Sequence, residues 1–210
     1  MLFWICFILA YIPIKLMFPT KVIGRKNLPK GKCIVASNHF SNADAIIYDF
    51  SFAIKFRYMA KIELFKNKFS AFFINAFGGF AVNREKITPS VYKKTMLELK
   101  KGHKVFIFPE GTRNKSGSEE MGDAKAGVIT FASKGDAVIV PMLLYKKPRL
   151  FHKNYIVVGE PFKVHGENPS RLTKEEVKVN LEIYENRMLE LRANLNEKLN
   201  DKKGRKKKDV

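Results

Sequence analysis

Two residues set five apart, His39 and Asp44 in the stretch Asn38-His39-Phe40-Ser41-Asn42-Ala43-Asp44, have the types needed for a base and its orienting partner. In a continuous helix, residues five apart are rotated by about 500°, about 140° off a common face, so these side chains meet only if the chain turns between them. The apolar run Cys33-Ile34-Val35-Ala36-Ser37 ahead of them has the length of a strand, and Ser41 and Asn42 are residues of the helix-capping kind. The segment predicts a strand-loop-helix junction with His39 in the loop and Asp44 in the first helical turn. There the carboxylate accepts the imidazole N–H, fixes the tautomer and stabilises the imidazolium, while the other nitrogen takes a proton from a hydroxyl. No Ser, Cys or Thr sits in a nucleophile-elbow pattern, which favours direct attack by a substrate hydroxyl over a covalent enzyme intermediate. An isolated pair at this spacing is also what a histidine capping a helix gives, so the neighbouring loops have to decide.

A second loop, Phe108-Pro109-Glu110-Gly111-Thr112-Arg113, also follows a buried apolar run and brings an acid, a flexible glycine and an arginine together. Arg113 suits a phosphate oxygen, and Glu110 a glycerol hydroxyl. Upstream, Gly78-Gly79-Phe80-Ala81-Val82-Asn83-Arg84 delivers another arginine at a strand end. Two guanidinium groups together neutralise a phosphate monoester dianion, although each taken singly fits a surface salt bridge better.

The elements that must position these loops alternate. Strands are predicted over 33–37, 56–59, 80–82, 105–108, 137–144 and 155–158, and helices over 44–52, 70–77, 89–101 and 126–133. Thr173-Lys174-Glu175-Glu176 is a capping box opening a long helix whose Val177, Leu181, Tyr184, Met188, Leu191, Leu195 and Leu199 recur at steps of four and three. This order predicts an α/β fold: a single domain with a mixed, mostly parallel central sheet flanked by helices, and functional loops at strand ends. Residues 1–20 form an apolar membrane-anchoring segment, 21–200 the folded domain with 21–32 as a charged link into it, and 201–210 a basic tail expected to be disordered.

With these elements in place, the chain resembles the glycerolipid acyltransferase family. Four of its motif blocks occur in order: N-H-x4-D at 38–44, G-x-[FI]-x-[VI]-x-R at 78–84, F-P-E-G-T-R at 108–113 and V-P at Val140-Pro141. Smaller echoes are 24–29, where Arg25 and Lys26 stand in place of the usual acid, and Ala60-Lys61 to Leu64. The stretch 124–127 resembles F-K-x-G with Ala124 replacing phenylalanine, which leaves Lys125 open between phosphate binding and a solvated lysine at a helix start. The resemblance implies that His39 is the base, Asp44 its orienter, Arg84 a phosphate contact, and Glu110, Gly111, Thr112 and Arg113 the acceptor site, with Lys125 as a further substrate-binding residue. It implies transfer of a fatty acyl group from acyl-CoA or acyl carrier protein to the free hydroxyl of lysophosphatidic acid, giving phosphatidic acid. Glycerol 3-phosphate and other lysophospholipids are acceptors open to the same chemistry.

The chain carries 39 Lys and Arg against 20 Asp and Glu, a net charge of +19 over 210 residues, which calls for an anionic partner. An anionic leaflet fits, together with acidic acyl carrier protein or the phosphates of coenzyme A. A nucleic-acid binder would explain the charge but leaves the apolar N-terminus and the motif blocks unexplained, and a catalytically silent scaffold leaves His39 and Asp44 without a purpose. In 1–19 the apolar run is interrupted at Pro13 and Lys15, lacks a basic leader and a small-residue cleavage site, and reads as an interfacial or half-inserted anchor rather than a full crossing. The aromatic run 65–80 is open between core and membrane contact. Cys6 and Cys33 show no C-x-x-C spacing, and His103, His152 and His165 no ligand spacing, so neither a disulfide nor a metal site is expected and no bound cofactor is required. Free thiols place the catalytic face in the cytoplasm, with the enzyme membrane-associated.

Overall fold

The computed structural model describes residues 2–82, 88–114 and 122–208. In chain order the elements are α1 (Leu2–Met17), β1 (Thr20–Ile23), β2 (Cys33–Ser37), α2 (Ala43–Phe52), β3 (Arg57–Lys61), α3 (Lys68–Ala76), β4 (Phe80–Val82), α4 (Pro89–Lys100), β5 (Lys104–Ile107), α5 (Gly127–Lys134), β6 (Ile139–Leu144), β7 (Asn154–Val158) and α6 (Lys174–Lys208). The strands form one sheet of seven in the order β1-β7-β6-β2-β5-β3-β4. Every pairing between these strands is parallel except β6 with β7, so the sheet is mixed and mostly parallel.

Alternation along the strands divides the core. Ile34 and Ala36 of β2, with Val105, Ile107, Ile139 and Leu143, face the layer of α4, α5 and α6, where Val91, Leu99, Phe131, Tyr184 and Met188 are buried. Cys33 and Val35, with Phe106, Val140, Met142 and Ile156, face α2 through Ile47, Tyr48 and Phe52. All five residues of β2 and all six of β6 are buried, as strands covered by helices on both faces must be. Pro141 sits inside β6 with its carbonyl accepting the Gly159 N–H at 2.8 Å. Its missing N–H therefore falls where β7 has just ended, a place in which the ladder loses little.

Three sequence expectations change. The link expected over 21–32 begins with an edge strand, β1, whose Thr20 to Ile23 pair with Asn154 to Val157. Charged and short, it lacks the apolar run by which the central strands announce themselves. Arg25 then donates to the carbonyls of Ser51 and Phe52 at 3.0 and 2.6 Å, satisfying the C-terminal end of α2. Secondly, α1 continues through Pro13 and Lys15 to Met17, because Phe3 and Phe7 bury against Phe50 of α2 and tertiary packing overrides the local break. Thirdly, α6 carries its helical backbone across residues 201–208, which the basic composition had assigned to a disordered tail. Its start is as expected: Thr173 N–H donates to Glu176 Oε2 at 2.7 Å and Glu176 N–H to Thr173 Oγ1 at 3.1 Å, a reciprocal capping box.

Among the described residues no helix is long and apolar enough to cross a membrane. The 16 residues of α1 span about 24 Å at 1.5 Å each, short of a hydrocarbon core of about 30 Å.

Candidate active site

β2 ends at Ser37, and the next residue takes over its ladder with a side chain. Asn38 Nδ2 donates to the Leu144 carbonyl and Asn38 Oδ1 accepts the Leu144 N–H, both at 2.9 Å, so a buried carboxamide ties the loop to the end of β6. His39 is therefore launched from a fixed point at the carboxyl end of the central strands.

The chain turns at Phe40 to Asn42, and the turn is organised by Asp44. Its Oδ2 accepts His39 Nδ1 at 2.8 Å, the Phe40 N–H at 2.7 Å and the Ser41 N–H at 2.9 Å, while Oδ1 accepts Ser41 Oγ at 2.7 Å. Four donors on a carboxylate with no exposed surface make an orienter with no freedom to rotate. Because an ionised carboxylate only accepts, the contact assigns the imidazole proton to Nδ1 and leaves the Nε2 lone pair as the base. Asn42 is the helix N-cap but makes no capping bond with its side chain; the carboxylate of Asp44 reaches back to the loop instead. On one side the imidazole lies flat on Phe108, centroids 3.9 Å apart and planes 16° from parallel.

The second loop locks onto the first. Glu110, 71 residues on from His39, accepts the His39 N–H at 3.3 Å on one oxygen, and the Gly122 N–H at 3.2 Å on the other. The Asn114 N–H donates to the His39 carbonyl at 2.8 Å. The carboxylate of Glu110 is thus turned inward and holds two backbone segments, a different task from the open hydroxyl contact that sequence suggested. Burial pushes its pKa up, against the lowering effect of the Gly122 and His39 N–H groups.

Gly111 closes a turn onto the Phe108 carbonyl at 3.0 Å with φ +67°, and the Lys125 side chain lies across it: a Cβ there would meet Lys125 Nζ at 2.9 Å. Thr112 is exposed, and Arg113 Nη1 reaches Asn42 Oδ1 at 3.3 Å, on the rim of the His39 site. Arg84 falls at 83–87, outside the described residues. His39, Asp44, Glu110, Gly111, Arg113 and Lys125 are thereby brought to one end of the sheet. Among the described residues, no group of three or more His, Cys, Asp or Glu could hold a metal; Cys6 and Cys33 are both free thiols, and burial pushes the Cys33 pKa up to about 12.

In front of His39 runs a groove of about 450 Å³ walled by Ile46, Tyr58, Leu64, Phe73, Ile74 and Phe77. The aromatic run divides: Phe69, Phe72 and Phe73 of α3 are exposed, Phe73 and Phe77 line the groove, and Phe80 is buried in the core. Behind Phe108 a smaller cavity of about 90 Å³ has Lys125 and Gly111 in its wall, with Val82, Val91, Val128 and Phe131. Val140 is core and Pro141 a strand residue, and neither lines the groove. Sequence reasoning missed Asn38 as a clamp, Ser41 as a second partner of Asp44 and Phe108 as the floor of the imidazole. Ser41 could have been found from its three-residue spacing to Asp44; the other two contacts cross between strands.

Sequence comparison gives this geometry its class. The profile of the Acyltransferase family matches residues 19–145, from β1 through the end of β6, and the chain belongs to that family: it is an acyltransferase. A curated relative from Bacillus subtilis (strain 168), named 1-acyl-sn-glycerol-3-phosphate acyltransferase, is 34% identical over 186 residues, covering 84% of this chain and 90% of its own length. A second of the same name, from Borreliella burgdorferi, is 33% identical over 138 residues, 64% of this chain, and the match spans about half (54%) of the relative. The crystal structure of the 1-acyl-sn-glycerophosphate (LPA) acyltransferase PlsC from Thermotoga maritima shares the fold, with a TM-score of 0.62 at 24% identity over 87% of this chain and 73% of that one.

Proposed function

We propose that the chain is a 1-acylglycerol-3-phosphate O-acyltransferase, which esterifies the sn-2 hydroxyl of lysophosphatidic acid with a fatty acyl group from acyl-CoA or acyl carrier protein. The observation that carries this reading is the buried 2.8 Å contact of His39 Nδ1 with Asp44 at the head of an apolar groove. His39 Nε2 takes the proton from the acceptor hydroxyl as its oxygen attacks the thioester carbonyl. The resulting imidazolium is stabilised by Asp44. Collapse of the tetrahedral adduct breaks the carbon–sulfur bond, and the proton passes from His39 to the departing thiolate, giving an ester and a free thiol. No acyl-enzyme is formed. Arg113 on the rim, with Lys125 and Arg84, binds the acceptor phosphate, and the groove with Ile46, Phe73 and Phe77 takes an acyl chain.

Both substrates carry acyl chains, so the protein works at a membrane. The outer face of α1 exposes Ile5, Ile8, Leu9, Ile12 and Leu16, and α3 exposes Phe69 and Phe72 beside the groove. These surfaces support an interfacial anchor. A cytoplasmic leaflet rich in anionic lipid suits the net charge of +19, with each cation near the surface contributing on the order of 1 kcal/mol.

The test is transfer of a radiolabelled acyl group from acyl-CoA, and in parallel from acyl carrier protein, to lysophosphatidic acid by membranes containing wild type or His39→Ala. Product from wild type that vanishes with His39→Ala supports base and acceptor together. Acylation of glycerol 3-phosphate or another lysophospholipid alone would overturn the acceptor, and no acylation of any acceptor would sink the reaction.

A further inference from the structure

Between β6 and β7 the chain makes a hairpin whose tip carries Leu150 and Phe151, 48% and 72% exposed. Phe151 has φ +57°, a left-handed conformation unfavourable for a bulky side chain. The tip is nevertheless tightly held. The buried side chain of Asn154 accepts the Arg149 N–H at 3.1 Å, and donates to the carbonyls of Arg149 and His152 at 3.3 and 2.9 Å. His152 Nδ1 contacts the Leu150 carbonyl at 2.7 Å, and the Phe151 N–H donates to Met17 at the end of α1, also at 2.7 Å. The fold thus uses a set of hydrogen bonds, and tolerates strain, to hold two large apolar side chains out into solvent. Packing gives no reason for this, since neither belongs to a core cluster.

The surroundings of the tip are cationic. A hollow of about 210 Å³ beside it is lined by Lys146, Lys147, Arg149 and Lys153, with Tyr145 and Tyr155, and none of its described lining residues is acidic. Lys153 Nζ stands 5.8 Å from the Tyr155 ring centroid and Lys146 Nζ 5.2 Å from that of Tyr145, so both ammonium groups sit over aromatic faces at the surface. Apolar tip and basic collar are continuous with α1: the hydrogen bond to Met17 seats Phe151 where the exposed row Ile8, Ile12 and Leu16 ends.

We propose that the β6–β7 tip is a second membrane-docking point, in which Leu150 and Phe151 enter the apolar layer of the bilayer and Lys146, Lys147, Arg149 and Lys153 engage the phosphates of anionic lipid headgroups. The proposal rests on the reading that the chain works at a membrane, and adds to it a fixed orientation. One helix lying in an interface can roll about its axis; a rigid wedge bonded to its C-terminal end stops the roll and holds the sheet, with His39, at a set angle to the leaflet.

Flotation of the full chain with vesicles of phosphatidylcholine alone, or of phosphatidylcholine with phosphatidylglycerol, tests this. Phe151→Gly removes the ring and relieves the left-handed strain, so it folds at least as well as wild type. Its partition onto the anionic vesicles is expected to fall about tenfold, and that of Leu150→Ser severalfold. Lys147→Glu with Lys153→Glu is expected to lower the preference for phosphatidylglycerol at least severalfold, the rest of the chain's positive charge keeping part of it, and an unchanged preference would overturn the headgroup contact. Transfer between dispersed short-chain substrates stays at the wild-type rate in all of these variants. Wild-type partition by Phe151→Gly and Leu150→Ser would overturn the docking point, and equal binding of wild type to the two vesicle types would overturn the headgroup contact. If wild type transfers no acyl group while vesicle binding still depends on Phe151, the reaction fails and the docking point stands.

Discussion

His39 and Phe108 lie ring to ring, 3.9 Å between centroids and 16° from parallel, so the base is fixed on its flat face by the second loop and at Nδ1 by Asp44 in the first turn of α2. Replacing the ring removes the first constraint and leaves the second. Phe108→Leu is expected to lower kcat about tenfold, since small losses of alignment at a reacting group are amplified in rate. Steady-state kinetics beside a thermal melt separates this from unfolding; a variant with unchanged kcat would mean that Asp44 alone suffices to aim the imidazole.

Asp44→Asn keeps the shape and removes the charge. The amide can offer its N–H₂ where the carboxylate accepted Phe40, Ser41 and His39 donors, so it favours the wrong imidazole tautomer and fails to stabilise an imidazolium. A loss in kcat on the order of 10³-fold is expected, with KM for the acceptor little changed. Loss in KM alone would contradict the assigned role.

Gly111→Ala places a methyl group 2.9 Å from Lys125 Nζ at a backbone φ of +67°. The left-handed conformation costs about 1–2 kcal/mol for a non-glycine residue, and the ammonium group has to move. A lowered melting temperature is expected together with a rise of about tenfold in KM for the phosphate-bearing acceptor. If Lys125→Ala leaves that KM unchanged, Lys125 is the solvated lysine of the alternative reading.

Asp49, on α2 and outside the site, is fully buried; its Oδ1 accepts the Phe56 N–H and the Tyr58 hydroxyl, and Oδ2 has no hydrogen-bond partner among the described residues. Burial raises its pKa well above the usual carboxylate range, with the Phe56 and Tyr58 hydrogen bonds and Lys55 opposing. The folded state therefore binds a proton that the unfolded chain has released above about pH 4. Its contribution to stability is full below that pH and falls as pH rises toward the folded value. Denaturant unfolding of wild type and Asp49→Asn across acidic to neutral pH is expected to show the wild type losing stability relative to the variant as pH increases; parallel curves would refute it.

Much of this was written locally. The apolar runs that became β2, β5 and β6 are buried between two helical layers, and continuous hydrophobicity over strand length has few other uses. Likewise the His39–Asp44 pair is a five-residue relationship, legible because the strand before it and the helix after it are both short-range signals. The capping box of α6 was equally visible.

What the tertiary structure alone decided lies in contacts between distant segments. β1 is a strand because Thr20 to Ile23 find Asn154 to Val157, and nothing in a short charged stretch announces a partner more than a hundred residues away. Asn38 reaches Leu144, Glu110 reaches His39 and Gly122, and Phe151 reaches Met17, each by a hydrogen bond whose partner is a backbone group carrying no side-chain signature. Periodicity and composition record how buried a residue is to be; the identity of its neighbour is settled only when the strands choose their order, because that choice fixes which loops meet at the end of the sheet.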